Sequence, residues 1–164
     1  MGAEKRVPIE TRDQSSTERV LGGLEVEVLL KLGREHLFLL FTQNRMLLAH
    51  HVKTGAGSVV LSSMLGKMAG GLRRGSAKAE ALRKIAEMDP TRILELHAEN
   101  FAVDYSKVVS MRVEHESRAG RSKITLVTSE GKYELYASPV AVEGIREDVL
   151  SLLQGKAEYR EQKM

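Results

Sequence analysis

Five histidines, His36, His50, His51, His97 and His115, are the side chains best suited to hold a transition metal, because the chain of 164 residues contains no cysteine. Their spacing forms no zinc motif: His50 and His51 are adjacent, and neighbours on a strand point to opposite faces. A site would need His36 brought across a hairpin, and solvated or edge histidines are the plainer reading. Metal and cofactor are both expected to be none. Gly70 to Ala77 has the glycine spacing of a phosphate loop, but Ser76 stands where the lysine belongs and no buried strand precedes it. Gly55-Ala56-Gly57 lacks the third glycine of a dinucleotide fingerprint. Ser62-Ser63 has no nucleophile elbow, and spacing marks no carboxylate pair as acid and base. The expectation is a protein that is not an enzyme.

The segment with the most pronounced chemistry is basic and apolar together. Between Gly66 and Lys84 six cations (Lys67, Arg73, Arg74, Lys78, Arg83, Lys84) face one acid, Glu80, a net +5 against +3 for the whole chain. Just before and within it lie Leu61, Met64, Leu65, Met68 and Leu72, spaced three or four apart as on one side of a helix. Gly66, Gly70, Gly71 and Gly75 weaken that helix by about 1 kcal/mol each relative to alanine, so outside contacts must support it. An apolar face beside cations suits an element lying in a headgroup layer, where burial and attraction to anionic lipid act together. It equally suits a helical hairpin packed on its own domain or on a second subunit. Nucleic acid is not expected as a partner, because six of the seven aromatic residues fall in or beside strands, where core packing takes the rings that stacking would need.

These residues must be positioned by a mainly β framework. Residues 1–19 hold four basic and four acidic side chains with few large apolar ones, and read as a flexible arm. Leu24, Val26, Val28 and Leu30 alternate with polar neighbours as in a half-buried strand; Leu37 to Phe41, apolar on both faces, and Met46 to Ala49 complete a three-strand meander. After the basic segment, Ala77, Ala81, Leu82, Ile85 and Met88 form a helical stripe, and Asp89-Pro90 ends that helix and opens a short one through Leu96. Four strands follow, at Phe101 to Val103, Val109 to Val113, Ile124 to Thr128 and Tyr133 to Tyr136. A closing helix, from Ser138-Pro139 to Gly155, carries Val142, Ile145, Val149, Leu152 and Leu153 on one side.

With this order, Phe41-Thr42-Gln43-Asn44-Arg45-Met46-Leu47 is similar to the T-x-x-R-apolar turn of prokaryotic PH-like domains, and Phe101 to Val108 to their apolar-x-Tyr-x-x-Ile/Val stretch. The chain therefore resembles the PH-like superfamily. The resemblance implies an α+β, mainly β fold: a roll of two antiparallel sheets of about seven strands, a C-terminal capping helix, and here a helical insertion at about 54–98 between strands three and four. The domain would span 20–155, with 156–164 as a tail. Some relatives bind phosphoinositides through basic residues near the first hairpin; Lys31 and Arg34 lie there, but Arg34-Glu35-His36 departs from the pattern. Arg118, Arg121 and Lys123, near a later hairpin tip, read as solvated.

The expected function is a non-catalytic interaction module of the cytoplasm, peripheral on an anionic membrane surface. Leu61, Met64, Leu65, Lys67, Met68, Leu72, Arg73, Arg74 and Lys78 would make the contact. The competing expectation is a protein-interaction or homo-oligomer-forming domain whose insertion packs on the barrel or on another subunit, with no lipid role.

Overall fold

A computed structural model describes residues 17–30, 33–50 and 74–160. The chain opens with strands β1 (Val20–Leu30), β2 (Gly33–Thr42) and β3 (Arg45–His50), then helices α1 (Arg74–Ala86) and α2 (Pro90–Glu95). Strand β4 (Phe101–Asp104) leads through the 3-10 turn Tyr105–Lys107 into β5 (Val108–Glu116), β6 (Arg121–Thr128) and β7 (Gly131–Ala137). Helices α3 (Pro139–Gly144) and α4 (Arg146–Leu153) precede a last strand, β8 (Ala157–Arg160). The fold is α+β and mainly strand. Among the described residues, all strands join one eight-stranded sheet in the order β4-β3-β2-β1-β7-β6-β5-β8, with β8 parallel to β5 and the other neighbours antiparallel. In place of the two antiparallel sheets of about seven strands expected from the sequence, the structure has one mixed sheet of eight, in which β1 joins β2 to β7. Strand β1 follows β2 from Val20↔Thr42 to Leu30↔Gly33 and meets β7 at Glu27↔Tyr136 and Val28↔Leu135.

Two further differences have local causes. The closing helix is interrupted at Ile145, whose φ of −106° and ψ of 1° leave the helical region while its side chain enters the core. The expected tail contains β8, because Gln154 (φ 40°) and Gly155 (φ 87°) turn the chain back along β5 in left-handed conformations. Four residues with alternating charge carry too weak a pattern to be read as a strand from sequence.

The sheet has two apolar faces around β2 and β3. On the inner face, Leu24, Val26, Leu39, Phe41, Met46 and Leu48 pack with residues of β5, β6 and β7, and Val142, Ile145, Val149 and Leu153 of the closing helices plug the same core. On the outer face, Phe38, Leu40, Leu47 and Ala49 are buried with Ile85 of α1 and Ile93 of α2, and Ala81, Leu82 and Met88 pack against them. Gly23 allows β1 to lie close to β2: a Cβ there would stand 2.6 Å from Leu40 Cδ2 and 2.9 Å from the Leu39 carbonyl oxygen. Helix α2 starts as its sequence requires, with the Asp89 carboxylate accepting the Thr91 amide at 2.8 Å and Pro90 in the first turn.

The two stretches that carried the family resemblance meet at the β2–β3 turn. Thr42 Oγ1 accepts the amides of Asn44 (3.3 Å) and Arg45 (3.1 Å), which fixes the turn, and it donates to Glu18 Oε1 at 2.6 Å. The Arg45 guanidinium grips the same carboxylate in two places, at 3.1 and 3.0 Å, and the Tyr105 hydroxyl donates to the Thr42 carbonyl at 2.6 Å. Partial burial alone would raise the Glu18 carboxyl, but the hydrogen bonds from Arg45 and Thr42 and the guanidinium charge outweigh it and hold the group below its ordinary value.

Two measurements test this packing. Ile93→Ala should lower unfolding stability by about 2–5 kcal/mol in denaturant titrations, since a fully buried contact between α2 and the sheet is emptied. Glu18→Gln should cost about 1–2 kcal/mol at neutral pH. Because the folded carboxyl is depressed, this contribution is complete above the ordinary carboxylate range and is lost as pH falls through the folded value. Wild type and variant should therefore converge in stability in acid.

Candidate functional site

Of the residues expected to make a contact, Leu61, Met64, Leu65, Lys67, Met68, Leu72 and Arg73 lie outside the described residues, and Arg74 and Lys78 fall in the first turns of α1. The later part of α1 is given to the domain itself, through Ala81, Leu82 and Ile85 against the sheet. Its exposed side is locally neutralised. Arg83 bonds Glu80 at 2.6 and 3.0 Å and Glu87 at 3.1 Å, and Lys84 stands 3.9 Å from Glu80. The hydrogen bond from Arg83, with its charge, lowers the Glu80 carboxyl, and the same bond raises the guanidinium. Two of the six cations of the basic segment are therefore engaged within the helix. Among the described residues, no helix is long and apolar enough to cross a membrane.

Of the basic residues named near the hairpins, Lys31 lies outside the described residues, and Arg34, Arg121 and Lys123 are engaged. Arg34 lies 3.4 Å from Glu27, Lys123 3.3 Å from Glu134, and Arg121 bonds Glu116 at 3.0 Å while stacking over Tyr136 at 4.0 Å. A cleft of about 940 Å³ opens beside β1, lined by Glu25, Glu27, Arg34, His36, Arg121 and Tyr136 among others. His36 faces Glu25 there, Nδ1 to Oε1 3.1 Å, and so does not share a site with His50.

A different group of side chains converges at the end of β3. His50 lies on the inner face, across from Leu37 and diagonal to Glu35 of β2. The turn between α2 and β4 brings His97, Glu99 and Asn100 onto it; continuing the β3–β4 register beyond Leu48↔Phe101 sets Glu99 level with His50. Asn100 is the anchor. Its Nδ2 donates to the Ile93 carbonyl at 2.8 Å, so its Oδ1 faces β3, where it accepts the His50 amide at 2.7 Å and lies 3.1 Å from His50 Nδ1. That carbonyl oxygen cannot donate, so Nδ1 carries a proton and Nε2 is the ring nitrogen left to meet other groups. Facing Nε2 are two carboxylates, Glu35 Oε2 at 3.3 Å and Glu99 Oε2 at 3.6 Å. The His97 ring stacks on His50, centroids 4.6 Å apart and planes 17° from parallel, with its Nδ1 accepting the Glu99 amide at 3.1 Å.

Ligand atoms of His50, His97 and Glu99 all lie within 4.8 Å of one another. Sequence spacing missed this group because the β3–β4 pairing that assembles it is interrupted by the helical insertion. Extending that pairing outward two residues from Phe101 was the available signal. Replacing Asn100 with Ala should lower stability by about 1–3 kcal/mol in thermal or denaturant unfolding, since it removes the side-chain acceptor of the His50 amide and one of two donors to the Ile93 carbonyl.

No protein-family model matches the chain, and no curated protein matches it. Among solved structures it is similar to the C-terminal domain of an unknown protein from Leishmania infantum (TM-score 0.49, 6% identity, 85% of this chain and 87% of that one). It is also similar to the hSac2 domain from human phosphoinositide phosphatase Sac2 (TM-score 0.49, 11% identity, 90% of this chain and 79% of that one).

Proposed function

We propose that the chain is a non-catalytic interaction module with a PH-like roll, which lies peripherally on an anionic membrane surface, on the cytoplasmic side, through its basic, glycine-rich insertion. The strand order supports the roll: β1 to β4 form one half, β5 to β7 the other, and β1 joins them through its pairs with β7 at Glu27 and Val28. The closing helices fill the end of the core in the manner of the expected cap.

The observation that carries the membrane reading is the anchoring of α1. Its later turns are fixed to the outer face of the sheet by Leu82 and Ile85, and Arg83 is neutralised by Glu80 and Glu87. This packing supports assigning the contact to the segment ahead of those turns: Leu61, Met64, Leu65, Met68 and Leu72 with Lys67, Arg73, Arg74 and Lys78. Apolar side chains with one cation among them and three after them suit shallow burial among acyl chains and attraction to anionic headgroups. The same packing of α1 also favours a second reading, in which residues 54–73 continue along the sheet or cover a second subunit.

Co-sedimentation with vesicles of neutral or anionic lipid, at low and moderate salt, separates these readings. The membrane reading expects salt-sensitive binding to anionic vesicles, weakened about 30-fold or more by Arg73→Glu/Arg74→Glu at about 1 kcal/mol per cation. Met68→Asp should weaken it at all salt concentrations. A folded wild-type chain that stays in the supernatant overturns the membrane reading, and concentration-dependent association in its absence supports self-assembly.

A further inference from the structure

We propose that the cluster at the end of β3 binds a first-row divalent metal ion of the zinc class, with His50, Glu99 and His97 as the residues whose ligand atoms gather there and Glu35 facing His50 Nε2. The inference is independent of the membrane reading and concerns the edge of the sheet where the turn after α2 meets β3.

The argument begins with a charge problem. Asn100 accepts from His50 Nδ1, which leaves Nε2 facing Glu35 and Glu99, whose carboxylate oxygens stand 3.3 and 3.6 Å away. Lone pairs on three such atoms repel unless a cation lies among them, and the cation must be either a proton on Nε2 or a metal ion. The spacing fits the metal. Zinc bonds of 2.0–2.2 Å to nitrogen and oxygen, at tetrahedral angles, separate neighbouring ligand atoms by roughly 3.3–3.5 Å. The two observed separations bracket that range.

The surroundings are those of a built ligand set. The His50 side chain is 12% exposed and its ring is fixed on both sides, by the Asn100 carbonyl in its plane and by the stacked His97 above it. A carbonyl on the far nitrogen of a ligating histidine sets its tautomer and raises its basicity. Glu99 is 70% exposed, leaving an approach from solvent and room for a water ligand. One or two imidazoles with two carboxylates and no sulfur suit zinc, manganese, iron(II), cobalt or nickel better than calcium or magnesium, which favour oxygen alone. His97 is the weakest contributor. Its Nδ1 accepts the Glu99 amide, which places the proton on Nε2, so it enters the coordination shell on giving up that bond.

The test uses the full chain after chelator treatment and dialysis, titrated with zinc by calorimetry and with cobalt by visible absorption. The expected result is one ion per chain, the intense visible band of low-coordinate cobalt, and a rise in melting temperature with zinc. Glu99→Gln, a substitution at an exposed side chain that leaves packing intact, should weaken zinc binding about tenfold or more, and His50→Gln at least as much. His36→Gln, at a histidine facing another carboxylate, should leave it unchanged. Zinc binding that is absent, or equal in wild type and Glu99→Gln, overturns the proposal and leaves the proton as the cation of the cluster.

Discussion

A hairpin that is apolar on both faces has to be covered twice, and the β2–β3 hairpin sets that condition for the rest of the chain. Leu39, Phe41, Met46 and Leu48 need a core on one side; Phe38, Leu40, Leu47 and Ala49 need a second on the other. The first is met in the ordinary way of β proteins, by β5 to β7 and the closing helices. The second requires material from outside the strand order, and the insertion between β3 and β4 supplies it as α1 and α2. At about 25 cal/mol per Å² of apolar surface removed from water, leaving that outer layer exposed would forfeit several kcal/mol, a large share of the net stability of an ordinary domain. The helices of the insertion are therefore part of the folded unit, and the fixed path from Ile93 to Phe101 that they impose is what carries His97, Glu99 and Asn100 to β3.

Much of the framework was legible because burial writes a period into the sequence. Leu24, Val26 and Val28 alternate with Glu25 and Glu27, and the strand appears where that alternation does; Asp89-Pro90 announces a helix start and forms one. Leu37 to Phe41, apolar at successive positions, already implied cover on both faces. What escaped was of two kinds. Short elements without a period, such as β8, depend on left-handed residues at Gln154 and Gly155 and on an available edge. The histidine cluster depends on pairing across some 50 residues of chain, where spacing in sequence says nothing about distance in space. Adjacent His50 and His51 invited the wrong comparison, with His36 on the neighbouring strand, whereas the alternation of strand faces sends His36 to Glu25 and His50 to Glu35 and Glu99.

Charge on the framework is arranged in short-range opposites. Lys107 bonds Glu130 at 2.7 Å, Lys123 and Lys132 share Glu134, and Arg160 holds Glu158 at 2.7 Å. Such exposed pairs add little to stability. They do cancel one another at a distance, so the long-range field of the chain is governed by charges elsewhere, and a screened field acts within about 10 Å at 0.1 M salt.

The parallel strand β8 has a consequence for solubility. An eight-stranded open order has two rims, and a rim of unpaired amides and carbonyls invites a foreign strand. Among the described residues the two rim strands, β4 and β8, are four residues each. Strand β8 lies along Met111 to Glu114 of the nine-residue β5 and occupies its outer hydrogen-bonding groups there, while offering charged Glu158 and Arg160 to solvent. The last turn of the domain thus acts as a selvedge, finishing a long edge so that neighbouring molecules find little backbone to stitch to.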